Sequence, residues 1–387
     1  MAATRHYLDH ASTSPLRPEA AAAMAAWDDL GIAADPGRVH TEGRMARATL
    51  ESAREQVAGL LGVRPRQVVL TSGATEAVNA AVWGILRAAP GAPVVLAEVE
   101  HSSVGDASAR LGAPVAVAVD GLGRIHPDAV AAALERARSV HGRPAALAHC
   151  QWANHEVGTV QPVAEVAAVC RAAGVPLHVD ASAAVGHLPC DLGALGEAGA
   201  DLISVAAHTF GGPAGIGALV LRRGLRIEPL LVGGEQERGR RAGLEDVRSA
   251  IGFGAAAETL ATGGRLAEEA DRARRQTSRL LAAATAVDEV TPYGDTDDRV
   301  PHIVCVGVAG VEAEPVLLGL DQAGVAAHSG SSCSSESLEP SPVLAAMGVD
   351  GERSLRLSVG WSTSDDDVAA FEESFAGVVA GLRSLRT

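Results

Sequence analysis

The chain has 387 residues, 47% of them hydrophobic, enough to bury a full core in one large domain or two ordinary ones. A formal net charge of -15, with both signs interspersed, works against nucleic acid phosphates or an anionic membrane surface as partners. All 32 side chains counted as Lys plus Arg are arginine, so no side chain can form an imine, because guanidinium stays protonated and does not condense with an aldehyde.

No apolar run approaches the ~18 residues of a spanning helix, and the N-terminus MAATRHYLDH lacks a leader-like apolar segment, so a cytoplasmic protein is expected. From about residue 16 to 255, helix-like periodic segments alternate with short Val, Leu, Ile and Ala runs. That is the grammar of strand-helix units around a parallel sheet. The predicted strands are VVLTS (68–72), VVLAEV (94–99), AALAHC (145–150), PLHVD (176–180), LISVAA (202–207) and ALVLRR (218–223). Each ends in polar or glycine-rich residues, and ligands on such sheets gather at the carboxyl ends of the strands. Ser72 to Glu76, His101, Asn154 to Glu156, Asp180 to Ala183 and His208 are therefore expected in one crevice.

After about residue 256 the pattern changes to a long Ala, Glu and Arg helix (263–286), the run HIVCVGV, a helix near 314–323, SLRLSVG, and a final helix after Ser364. The fold class read from this is α/β. A large domain over 15–257 has a mostly parallel central sheet, and a smaller α+β domain takes residues 1–14 and 258–387. Ser364, followed by three aspartates, supplies a cap and negative charge for the last helix.

Three stretches carry candidate chemistry. TSGATEAVNAAVWGIL follows a strand with Gly73, Ala74 and Thr75 and then a helix, whose first N–H groups suit a phosphate, although small residues there also serve as ordinary caps. HVDAS places Asp180 at a strand end, where a carboxylate needs a cation or several hydrogen bonds, and EHSSV puts His101 beyond another strand, able to stack on a flat ligand or move protons. SGSSCSSESLEP sets Cys333 among Ser and Gly before a helix around Pro340, too polar a setting for a core thiol, whereas the other four cysteines sit in apolar surroundings. The five cysteines form no C-x-x-C pair, and no metal site is expected.

Taken in order, YLDHASTSP (7–15), SGATE, the EH at 100–101, ANHEVGTVQP (153–162), HVDASAAVGHLP (178–189), AHTFGGPAGIGAL, ERGRRAG (237–243), SGSSCSSESLEPS and LRLSVG (355–360) resemble the cysteine desulfurases of the class V aminotransferase group. The similarity spans nearly the whole chain. It implies a PLP-transferase-like fold, a homodimer with ERGRRAGLEDV reaching across, and a sulfur donor, acceptor or scaffold protein as partner. It also implies roles at matching positions. Cys333 would be the loop nucleophile that carries a persulfide, and His101 the ring-stacking acid-base residue. Thr75 and His208 would contact phosphate, with Gly73 and Ala74 beside them, and Asp180 would partner the pyridine nitrogen. Asn154, His155 and Arg356 would meet the substrate, Arg356 at its carboxylate.

The departures from the family pattern cluster around the cofactor. Thr209 stands at the position of the Schiff-base lysine, Ala206 in place of a phosphate-binding Ser or Thr, Ala183 in place of a Gln, His155 in place of an Asn, and Leu244 in place of a Thr offered by the neighbouring subunit. Three lost polar contacts of ~1.5 kcal/mol each amount to about three orders of magnitude in affinity. The expectation is therefore no PLP, or weakly bound non-covalent PLP. Three roles follow: sulfur transfer or iron-sulfur assembly through Cys333, a desulfurase working with non-covalent PLP, or a silent structural subunit.

Overall fold

The computed structural model describes residues 5–329 and 341–385. Its strands, in chain order, are β1 (His6–Tyr7), β2 (Val68–Thr71), β3 (Pro93–Ala97), β4 (Ala113–Val117), β5 (Leu147–Gln151), β6 (Leu177–Asp180), β7 (Ala200–Ala206), β8 (Gly217–Leu221), β9 (Val290–Tyr293), β10 (Ile303–Val308), β11 (Val325–Ala326) and β12 (Ser354–Ser358). β2 to β8 make one seven-stranded sheet in the order β2-β8-β7-β6-β5-β3-β4. Its neighbours are parallel except β8, which runs antiparallel to both β2 and β7.

The near-continuous apolar runs of β2, β3, β5, β7 and β8 reflect burial on both faces. Helices α1 (Pro18–Asp28) and α2 (Thr41–Leu60) precede β2. Val94 and Leu96 face α3 (Ala74–Leu86) and α4 (Ser102–Leu111) through Val78, Val82 and Val104. Val95, Ala148, Val179 and Val205 face the opposite layer with Leu50 and Val57 of helix Thr41–Leu60, Leu134, Val166 and Phe253. β4 is absent from the predicted strands. As the edge strand it is half-exposed and carries Pro114, so its sequence lacks the signal of its neighbours.

The second sheet, β12-β10-β9, is antiparallel and packs Val306 and Leu355 against the helices Arg265–Thr285, Ala313–Gln322 and Asp365–Ser384, the last of which contributes Phe371 and Phe375. The last helix opens as expected. Ser364 Oγ accepts the Asp367 N–H at 3.2 Å and Asp367 Oδ2 accepts the Ser364 N–H at 2.8 Å. β1 lies parallel to β11 and Asp9 bridges Ser358, so the N-terminal residues belong with the second sheet. Among the described residues no helix is long and apolar enough to cross a membrane.

Arg54 meets Glu237 in a fork-to-fork pair at 2.6 and 2.7 Å, with both side chains about fully buried. Glu237 Oε2 also accepts the Leu70 N–H at 3.0 Å, although Glu237 itself sits at a left-handed φ of 48°. The pair fastens the 235–243 segment to β2. Removing one partner strands the other charge, so Glu237→Leu is expected to cost about 3–5 kcal/mol in chemical denaturation, whereas Arg238→Ala on the exposed side should change little.

Buried imidazoles set the acid limit. His149 and His178, on adjacent strands, share a 2.9 Å contact. Burial pushes His149 well below the ordinary value and His178, His10 and His187 down to about 4. Above about pH 6.5 folded and unfolded rings are both neutral. As pH falls toward 4 the unfolded chain takes up protons that the folded chain refuses, and stability is lost. Glu100, raised to about 8 mainly by burial, acts oppositely, its contribution being present below its ordinary value and lost as pH rises through 8. Several histidines outweigh one glutamate, so calorimetry is expected to give a lower Tm at pH 5 than at pH 6.5.

Candidate active site

The carboxyl ends of β2, β3, β5, β6 and β7 open on one cavity of about 580 Å³, closed on its far side by residues of the second sheet. α3 begins there at Gly73. Its φ of 151° suits glycine, and a side chain on Gly217 would come within 2.8 Å of the Gly73 backbone. The first helical bond runs from Ala77 N–H to Gly73 O at 3.1 Å, which leaves the N–H groups of Ala74, Thr75 and Glu76 for a ligand. Glu76 does not block them. It is held by Arg241 at 2.9 and 3.2 Å and takes the Ser72 N–H at 2.7 Å.

Asp180 lines the cavity from the end of β6. Its Oδ1 accepts from Ser182 N–H (3.0 Å), Ser182 Oγ (2.7 Å) and Ser204 Oγ (3.0 Å), while Oδ2 has no hydrogen bond among the described residues. One carboxylate oxygen is fixed and the other left for a ligand. His101 caps α4, its Nδ1 accepting the Ser103 N–H at 3.1 Å, which places its ring proton on Nε2. Its ring meets that of His155 edge-on at 5.1 Å. Burial, then His101 and Arg356, hold His155 well below the usual range, and burial also lowers His208.

Arg356 enters from β12, 1% exposed. Its guanidinium donates to Asp9 Oδ1 (2.9 Å), Ser12 Oγ (2.6 Å) and the His155 carbonyl (3.0 Å). Thr209 lines the cavity where the resemblance puts lysine, and its hydroxyl turns back to the Ala206 carbonyl at 3.3 Å. Ala183 and Ala206 also line the cavity, while Leu244 is 64% exposed beside a separate, smaller hollow.

The structure thus gathers Gly73, Ala74, Thr75, His101, His155, Asp180, His208, Thr209 and Arg356 around one space. Asn154 is the exception. Fully buried and off the cavity wall, it receives the Glu156 and Val157 N–H groups at 2.9 and 2.8 Å and donates to the Val99 carbonyl at 3.2 Å, so its amide shapes the turn that presents His155. Cys333 lies outside the described residues. Of the other cysteines, Cys150, Cys170 and Cys305 are buried and Cys190 partly so, and burial pushes Cys170, Cys190 and Cys305 up to about 12 and Cys150 well above the ordinary value. None of these four offers a thiolate. Sequence reasoning missed Ser12 and His302, which also line the cavity, and His187 behind it.

Comparison with known proteins places this geometry. Residues 6–371 match the aminotransferase class-V family. The chain is 42% identical to an IscS-like cysteine desulfurase of Mycobacterium tuberculosis over 97% of both chains, and 35% identical to cysteine desulfurase IscS 1 of Archaeoglobus fulgidus over 98% of both. A solved NifS-like protein superposes with a TM-score of 0.86 at 26% identity, covering 98% of this chain and 100% of that one. The match overturns the expectation of no PLP or weakly bound non-covalent PLP, because this family is PLP-dependent. The pocket fits the group: open N–H groups at a helix N-terminus suit its phosphate, and a half-engaged carboxylate suits its ring nitrogen. These backbone donors survive the side-chain losses at Ala183, Ala206 and Leu244. The chain belongs to the class-V aminotransferase family and, within it, to the cysteine desulfurases of the IscS and NifS kind.

Proposed function

We propose that this chain takes sulfur from L-cysteine and passes it, through Cys333, to acceptor proteins for iron-sulfur or thio-cofactor assembly, working as a homodimer. The observation that carries the reading is the convergence of the α3 N-terminus, Asp180 and Arg356 on one cavity, in a chain that matches cysteine desulfurases end to end. When bound, PLP supplies an electron sink for the amino acid. The N–H groups of Ala74 and Thr75, with His208, would hold its phosphate, and Asp180 its ring nitrogen. With no lysine in the sequence, these are the contacts the chain offers it.

His101, with its ring proton on Nε2, orients and donates on the open side. Arg356 faces the substrate carboxylate. Cys333 receives the sulfur as a persulfide, since the four described cysteines are held as thiols. The exposed side chains of Leu231, Val232 and Leu244 around the 237–243 segment suit a subunit contact.

Thr209 favours a second reading, in which the sulfur reaches Cys333 from a separate desulfurase rather than from free cysteine. Alkylation and mass spectrometry separate the two. A persulfide on Cys333 after L-cysteine and PLP alone is expected from the first, and one that forms only when a second desulfurase is added is expected from the second. Equal labelling of Cys333→Ser would sink both. In the first reading Asp180→Ala is expected to lower sulfide release by about a hundredfold, with a matching loss of the bound PLP absorbance.

A further inference from the structure

Behind Thr209 lies a pair of imidazoles that the family resemblance does not use. His187, in the turn after β6, donates its Nε2–H to the Thr209 carbonyl at 3.1 Å. Its ring lies flat on His302, centroids 3.4 Å apart and planes within 13°. His302 directly precedes β10, is 2% exposed, and forms the wall between the main cavity and a small hollow lined by Arg17, His187 and Glu269. Neither ring nitrogen of His302 has a hydrogen-bond partner among the described residues, and Nδ1 is wholly buried. Nε2 is the ring nitrogen that keeps some exposure, and an unpaired polar group on a cavity wall points to a partner that arrives with the ligand.

The charge around it says what kind of ligand group that is. Arg356 is the cationic side chain on this wall, and Asp9 already neutralises it at 2.9 Å. An incoming carboxylate would be a second anion beside one guanidinium, so it needs a further donor. The Nε2–H of His302 is such a donor, whereas Arg356 Nε, although without a partner among the described residues, is wholly buried. His302 faces His187, His10, Arg356 and Arg299, all of which oppose its protonation, and burial does so most. It is therefore a neutral imidazole with one N–H to give. Two stacked imidazolium rings at 3.4 Å would repel, which again favours neutrality.

We propose that His302 is a substrate-contacting residue, donating a hydrogen bond to the amino acid carboxylate that Arg356 faces, and that His187 is its positioning residue, fixing the ring plane from the Thr209 carbonyl. The inference rests on the reading that this pocket takes L-cysteine. It deepens that reading by assigning carboxylate selectivity to a pair of histidines.

Calorimetric binding to the full-length chain tests it, with L-cysteine and with cysteamine, which keeps the amine and thiol but lacks the carboxylate. His302→Phe preserves a flat ring for the stack and removes the donor. It is expected to weaken L-cysteine binding about tenfold and leave cysteamine unchanged. An equal loss for both ligands, or no loss for either, overturns the inference. Should His302→Phe fail to fold, His302→Asn keeps an N–H. It is expected to hold L-cysteine selectivity within a few-fold of the native chain, and a complete loss of selectivity there overturns the assignment.

For His187, the alanine variant is expected to lose selectivity for L-cysteine over cysteamine, and His187→Phe, which restores the flat face, to recover it. Equal loss in both ends the positioning role. If the native chain binds neither ligand, the L-cysteine reading itself fails. If it binds L-cysteine and His302→Phe does so equally well, only the assignment of His302 fails.

Discussion

One buried guanidinium holds the site together. Arg356 projects from the second sheet, binds Asp9 and Ser12 of the N-terminal segment, and donates to the His155 carbonyl beyond the end of β5 in the first sheet. Three hydrogen bonds from its two Nη groups join three segments distant in sequence. The buried charge is tolerable because Asp9 compensates it and the geometry satisfies most of its donors. The cavity exists in its present shape because these segments are tied at that point. A lysine there would offer one point charge instead of a planar fork.

The rest of the pocket is built from groups kept neutral or from charges already paired. Glu76 is engaged by Arg241, Asp180 is half-engaged by two serines, and burial holds His155 and His302 well below the usual range. What remains open is directional: three N–H groups at a helix start, one carboxylate oxygen and a ring nitrogen of His302. Such a site selects by the placement of donors more than by net charge, which accords with a small polar ligand drawn from an otherwise acidic chain.

How much of this could be read from the residues alone follows from what each residue's neighbours are. β2, β3, β5, β7 and β8 declare themselves because burial on both faces demands unbroken apolar runs, whereas β4, an edge with Pro114, has no such demand. Positions just past strand ends point to the crevice by topology, so Thr75, His101, Asp180 and His208 were accessible to reasoning. Asn154 shares that address but turns its amide to the backbone, a choice that residue type does not encode. His187 and His302 are 115 positions apart and meet only through packing, so no local signal could pair them. The pair Arg54–Glu237 is hidden for the same reason.

The N-terminal strand adds a consequence in time. β1 pairs with β11, and Asp9 bridges Ser358 and bonds Arg356, contacts that span more than three hundred residues of chain. During synthesis the first sheet and its flanking helices can gather as soon as residues up to Ala261 have emerged. Residues 6–12 must wait until β11 and β12 have left the ribosome. The crevice is therefore completed late, and a nascent chain arrested between Ala261 and β10 carries the scaffold without its far wall.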